Sequence, residues 1–395
     1  MRSGAIALFV LSLAARIAAY PAMTTDYTYF AKPWLATLAA HPWLSAFATP
    51  FSDYAPLYLY LLKLASLVPL PALALVKLLS FGFDIAIAAA GYAIVRRFLP
   101  ASRDTALLAA ATLFALPTVV ANSALWGQSD ALYGSLVLFS SLALLAALPL
   151  AAAILYGLAL SAKVQAIFFL PVFAGWLYRR GALLRYGWIP PAVFALSVVP
   201  AWVSGGNLWY WLFIYAHEAG EYPYLSVSAQ SVFAFVQPLG ISLALADALF
   251  WAGIAAAAAA AAALAWYVAC VPRLSARATL LAAFAAGLIL PYLLPRMHER
   301  YFYLADLFAV LYAFFAPPRW WVAALVVFSS LLSYAPFLSG QLAFLSGVHV
   351  DLRIPATLLL LPIGAVVYDL AALSRAPLSP LALSRPEAGH ATVNA

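Results

Sequence analysis

The stretch "MTTDYTYFAKPW" sets a carboxylate, Asp26, among Tyr27, Tyr29, Phe30 and Trp34 directly after the first hydrophobic run. Only 13 of the 395 residues are acidic, so a carboxylate at a water–lipid boundary needs a reason. Local sequence offers two: Asp26 caps the helix beginning there, or it is a base held at the membrane edge. A second carboxylate, Asp53, opens "FSDYAPLYLYLL" together with Tyr54. An Asp just ahead of a proline reads first as an ordinary helix start. "ANSALWGQSDALYG" then brings Trp126, Gln128 and Asp130 to one inter-helix mouth, aimed where Asp26 should sit. An indole face and an amide suit a pyranose, which presents a C–H face and hydroxyl edges. A linking turn with an interfacial tryptophan would use the same residues.

Two later stretches carry cations. "LSAKVQAIFF" places Lys163 and Gln165 inside an apolar segment, where an ionisable group is costly and a broken helix commonly frames a ligand. "LLPRMHERYFYLADLF" clusters Arg296, His298, Glu299 and Arg300. Two guanidinium forks and an imidazole form a phosphate site, with snorkelling onto headgroups as the competing explanation. Asp84 lies on about the same helical face as Lys77, which predicts a structural or gating pair. His217, Glu218 and Glu221 in "YAHEAGEYPY" read as an exposed loop on the acceptor side. There is no His-x-x-x-His, no DxD pair and a single cysteine, Cys270, so no metal site is expected. No Walker loop or glycine-rich fingerprint cradles a nucleotide, and no cofactor is expected.

The elements positioning these residues follow from hydropathy. Hydrophobic residues make up 67% of the chain, charged ones 8%, and the mean hydropathy is +0.99. Soluble domains are about a quarter charged, so the chain is a multi-pass membrane protein, and its continuous apolar runs are helices rather than barrel strands. The runs are 4–20, 73–95, 105–122, 131–148, 188–203, 242–270, 278–294, 301–316, 320–336 and 354–372. Segment 150–178, with Pro149 and Pro171 and a buried Lys163, splits into two short spans near 163–166. Arg16 interrupts what would otherwise be a signal-peptide cleavage region, so the first run is expected to stay as a span.

Twelve spans with a cytoplasmic N-terminus put twelve of the 20 Lys and Arg in inner loops, so the net charge of +7 reflects topology and not nucleic acid. The condition is that 53–71 lies on the outer surface as an amphipathic helix and does not cross. The outer face then holds Asp26, Asp53, Asp130, Glu218, Glu221, Glu299, Asp351 and four of the five histidines, most of them in the long segments 21–72, 204–241 and 337–353. The Arg296/Arg300 pair breaks the charge rule on that face. No internal repeat or soluble domain is evident, so residues 1–375 read as one all-α membrane domain and 376–395 as a disordered cytoplasmic tail.

Taken in order, the early Asp26, "DYAPL", "WGQSDALYG", "AKVQ" and "RMHERYFY" resemble the GT-C glycosyltransferases, nearest to the ALG-type group and its prokaryotic mannosyltransferase-like relatives. The resemblance covers most of residues 1–310. It departs at Ala55, where a second proline is usual, and "MHERY" is closer to bacterial versions. It implies a hexose, mannose or glucose, moved from a polyprenyl-phosphate donor to a glycan, lipid-linked or protein acceptor on the extracytoplasmic face of the cell membrane. Transfer would be inverting and metal-independent. Asp26 would be the general base. Arg296, His298 and Arg300, with Lys163, would hold the donor phosphate. Trp126, Gln128, Asp130, Gln165, Asp53, Tyr54 and Glu299 would contact sugar or acceptor. A lipid-linked sugar flippase or secondary transporter is the rival class, expected to carry repeats and midplane sites that are not evident here. A catalytically dead scaffold is a third reading, opposed by the surviving His/Arg cluster.

Overall fold

Helices make up nearly all the regular structure of the computed structural model, which describes residues 1–218 and 224–375. Glu221 and the tail beyond Arg375 lie outside the described residues. Along the chain come α1 (Arg2–Ala19), α2 (Lys32–Ala40), α3 (Pro56–Ala65), α4 (Ala72–Phe98), α5 (Arg103–Phe114), α6 (Pro117–Val120), α7 (Asp130–Leu145), α8 (Pro149–Ala162) and α9 (Leu170–Arg179). Helices Ile189–Val203, Leu243–Cys270, Ala276–Leu293, Tyr303–Phe315, Trp320–Ser339 and Leu360–Arg375 follow. Among the described residues the only strands are β1 (Ser226–Val227) and β2 (Met297–His298), paired in parallel.

Among the described residues seven helical segments are long and apolar enough to cross a membrane: α1, α4, Leu183–Val203, Leu243–Cys270, Ala276–Leu293, Pro317–Ser339 and Arg353–Arg375. An eighth arises if α5 and Pro117–Trp126, bent by 44°, count as one span. Of the other runs expected to cross, α7 has 16 residues, α8 has 14 and Tyr303–Phe315 has 13. All are shorter than the roughly 20 residues that a bilayer's hydrocarbon core asks of a helix.

Burial separates centre from periphery. Of the apolar windows, 78% of Ala276–Leu293 is buried, against 22% of α1 and 17% of Leu243–Cys270. The alanine-rich helix is therefore an outer, lipid-type surface and Ala276–Leu293 the axis of the bundle. Gly287 permits the closest approach there, since a Cβ would stand 3.0 Å from the backbone nitrogen of Ala305. Ser102, Ser242 and Ser275 cap their helices by accepting from the amides of Thr105, Leu245 and Ala278. The break expected near 163–166 falls at Lys163, which is extended (φ −160°, ψ 139°) between α8 and a tight turn over Val164–Phe169.

Two expectations change. Within 53–71 only Pro56–Ala65 is helical, and it turns Tyr58, Leu59 and Leu62 inward. Lys63 does not face water: its Nζ donates to the carbonyls of Leu38 and His41 at 2.7 and 2.8 Å. The expected Lys77–Asp84 pair does not form either. Lys77 Nζ donates to the carbonyls of Ala19, Tyr20 and Ala22. Asp84 instead takes Arg16 Nη2 at 2.8 Å and the Ser123 hydroxyl at 2.6 Å, which ties α1 to α4 and the α6 region. Seven residues along a helix put two side chains about 10 Å apart, whereas packed helices bring theirs into contact.

This ion pair is 6% and 0% exposed. Replacing Arg16 by Leu leaves a buried carboxylate without a counter-charge and should cost about 3–5 kcal/mol, read from unfolding in detergent. The double change Arg16→Leu/Asp84→Leu should recover most of that loss. Equal losses for the single and the double variant would contradict the pair's role.

Candidate active site

Asp26 opens a π-helical turn, Asp26–Ala31. It does not cap that turn: the Tyr27 amide donates to Thr24 Oγ1, and the Asp26 carboxylate meets side chains from other elements. The carboxylate turns to the loop after α6, where its Oδ2 accepts from Trp126 Nε1 at 2.9 Å and from Gln128 Nε2. Arg300 Nη1 stands 3.6 Å from the same oxygen. All three contacts meet at Oδ2, and among the described residues Oδ1 accepts no hydrogen bond. One oxygen is thus anchored while the other can take a proton, the geometry a positioned base requires.

The anchors are themselves held. Trp126 is fully buried, stacked on Phe337 at 4.4 Å and edge-on to Tyr334. It ends a second π-helical turn, Ala121–Trp126, and Gly127 closes that turn at φ 75°, a left-handed conformation that favours glycine. Such π turns occur frequently at functional sites, because the extra residue re-aims side chains. Gln128 is committed at both ends: its Oε1 accepts from the Tyr54 hydroxyl at 3.1 Å, and Ser80 Oγ donates to its carbonyl at 2.6 Å. Burial pushes the Tyr54 phenol far above its ordinary range, so it stays a donor and fixes the amide's orientation.

Two cavities adjoin this network, of about 190 and 360 Å³. Asp53, Tyr54, His298 and Arg300 line both and so form the wall between them. On the first side lie Asp26, Gln128, Glu299 and the rings of Trp34, Tyr58 and Phe337. The second holds Lys163, Gln165 and Arg296, with apolar Ile167, Phe168, Ile254 and Leu294. Arg296 lies over the Phe250 ring at 4.6 Å and adopts φ 60°, strain expected of a residue held by its surroundings. Its amide donates to the Leu225 carbonyl at 2.8 Å, where β1 and β2 pair and pin the cationic segment.

Asp26, Trp126, Gln128, Tyr54, Glu299 and Arg300 are brought together, and Lys163, Gln165, Arg296 and His298 gather across the wall. Asp130 does not reach the first cavity. Fully buried, it takes Lys163 Nζ at 2.5 Å and Asn122 Nδ2 at 2.6 Å, so it positions the lysine. Asp53 lies ahead of α3, whose N-cap is Ala55, and lines both cavities. His298 is not a cation: burial, then Arg300 and Lys163, push its imidazole down to about 3, leaving a neutral ring. Among the described residues no three His, Cys, Asp or Glu side chains gather as metal ligands.

Glu299 is the counterpart. Burial pushes it up to about 7 against the pull of Arg300, whose Nη1 lies 3.0 Å away. Between pH 4.5 and 7 the folded protein therefore holds a Glu299 proton that the unfolded chain releases, and stability falls as pH rises. Between pH 3 and 6.5 the unfolded chain holds a His298 proton that the folded protein excludes, so stability is lost as pH falls. The two slopes oppose each other from pH 4.5 to 6.5. Relative to wild type, His298→Gln should turn the slope of melting temperature between pH 4.5 and 6.5 toward a steeper fall, and Glu299→Gln should turn it the opposite way. Identical profiles for the two variants would contradict this assignment.

Several participants carried no sequence signal. Phe337 is one apolar residue among many in its helix. Thr24 Oγ1 donates to the Trp126 carbonyl at 2.9 Å, and Gln341 Oε1 accepts from the Thr25 amide at 2.5 Å, linking ends of the chain more than 300 residues apart. No protein-family model matches the chain, and no curated protein is significantly similar to it. Fold and site together define the class: a helical, multi-pass type of membrane protein in which an anchored carboxylate faces a cationic, partly apolar chamber across a shared wall.

Proposed function

We propose that the protein is a glycosyltransferase of the GT-C type. It moves one hexose, mannose or glucose, from a polyprenyl-phosphate carrier to an acceptor hydroxyl at the extracytoplasmic face of the cell membrane, through an inverting, metal-independent reaction. The shared wall of the two cavities carries the reading. A donor phosphate fits among Arg296, Lys163 and Arg300, with its lipid against the apolar residues of the larger cavity. The sugar then lies toward the wall and the acceptor in the smaller, aromatic cavity beside Asp26. The acceptor oxygen attacks the anomeric carbon and its proton passes to Asp26 Oδ1. The bond from that carbon to the phosphate oxygen breaks, and its electron pair leaves with the polyprenyl phosphate. Guanidinium and ammonium groups receive the growing phosphate charge. His298, being neutral, donates or accepts a hydrogen bond there and adds no charge. On this reading the shorter helices complete twelve spans, since protein-lined short and broken helices are tolerated around a buried site.

The test reconstitutes the protein in vesicles with sugar-labelled polyprenyl-phosphate mannose or glucose and a membrane-lipid acceptor extract. Label should leave its carrier and become covalently attached to acceptor, releasing polyprenyl phosphate. Label that crosses the bilayer still joined to its carrier would replace this reading by transport.

A further inference from the structure

Behind the wall of the smaller cavity, one carboxylate takes no part in the site. Asp306, on helix Tyr303–Phe315, is fully buried. Ser330 Oγ donates to its Oδ1 at 2.9 Å, and Gln230 Nε2 donates to that same hydroxyl at 3.0 Å. The Thr118 hydroxyl stands beside the carboxylate without completing a hydrogen bond. Among the described residues no cationic side chain pairs with Asp306. Every other buried carboxylate of the bundle or site has one: Asp84 has Arg16, Asp130 has Lys163, Glu299 has Arg300 and Asp369 has Arg319.

The atoms left over around Asp306 are oxygens. Asp306 Oδ2, Thr118 Oγ1 and Gln230 Oε1 have no partner among the described residues, and all three residues are completely buried. The Gln230 amide nitrogen is already used by Ser330, so its remaining capacity is that of an acceptor. A carboxylate, a hydroxyl and an amide oxygen form a hard, oxygen-only ligand set of single negative charge. A divalent ion ordinarily draws further carboxylates or keeps several waters, while an alkali cation balances one charge. We propose that Asp306, Thr118 and Gln230 bind one monovalent alkali cation, for which Na⁺ is the probe. The ion joins α6, the segment before Val232 and helix Tyr303–Phe315, and Ser330 links Asp306 and Gln230 to helix Trp320–Ser339. Tyr334 and Phe337 of the last helix hold the Trp126 ring, so the ion stiffens the backing of the site without entering the chemistry.

The test needs neither substrate nor activity. Purified full-length protein in detergent at pH 8 is melted while NaCl replaces choline chloride at constant ionic strength. Wild type should gain roughly 2–4 °C, saturating with Na⁺, because binding to the folded state alone stabilises it. Asp306→Asn, which keeps shape and removes charge, should melt at the same temperature in both salts, and Thr118→Val should need more Na⁺ for the same gain. Equal melting of wild type in the two salts would overturn the site, including the case of a protonated carboxyl whose stability follows pH alone. A full Na⁺ response retained by Asp306→Asn would overturn it too. Should that variant not fold, an unaltered Na⁺ dependence in Thr118→Val is the overturning result.

Discussion

Asp26→Asn should lower sugar transfer by roughly 10²–10⁴-fold, the range contributed by a positioned general base. The substitution preserves volume, and the Asn oxygen can still accept from Trp126 Nε1, as Asp26 Oδ2 does at 2.9 Å. What disappears is an oxygen able to take the acceptor's proton. Expression, melting temperature and binding of labelled polyprenyl-phosphate sugar should stay near those of wild type, because the carrier phosphate is assigned to the far side of the wall. Single-turnover transfer with saturating donor separates chemistry from binding. Transfer within about threefold of wild type would remove Asp26 from the base role, given that a base contributes at least ~10².

Arg300→Gln should cost roughly 10²–10³-fold, most of it in kcat. Arg300 lines both cavities and contacts Glu299 at 3.0 Å and Asp26 at 3.6 Å. Burial opposes its charge, but Asp26 and Glu299 outweigh burial and raise its proton affinity, so it is a permanent cation. A polyprenyl-phosphate sugar carries one phosphate charge before reaction and gains a second as the bond to the sugar breaks. A fixed cation therefore acts more on the transition state than on bound donor. Arg300→Lys should recover only part of the loss, since an ammonium keeps the charge and loses the planar set of donors suited to a phosphate. A defect confined to acceptor KM would show instead that Arg300 serves only the smaller cavity.

Much of the site was legible because its residues contradict their surroundings. Carboxylates and cations in a chain that is 8% charged stand out, and Asp26, Asp53, Lys163, Arg296, Glu299 and Arg300 do line two adjoining cavities. Their pairings were not legible. Asp130 is two residues from Gln128 and was expected beside it, yet a helix starting at Asp130 turns its side chain inward to Lys163 while Gln128 stays in the loop. Likewise the sequence does not tell how far His298 can share the charge of Arg300 in acid; burial, with Arg300 and Lys163 beside it, pushes its imidazole down to about 3.

By itself the sequence determined that the chain is helical and membrane-embedded, and that one apolar segment breaks near 163–166. Those properties follow from local hydropathy, proline placement and the cost of a charge in an apolar run, each readable within about 20 residues. Tertiary structure decided which charges meet: Arg16 with Asp84, Lys163 with Asp130, Arg300 between Glu299 and Asp26. A buried charge needs a partner within hydrogen-bonding reach, and only the packing of helices distant in sequence determines which side chain arrives there.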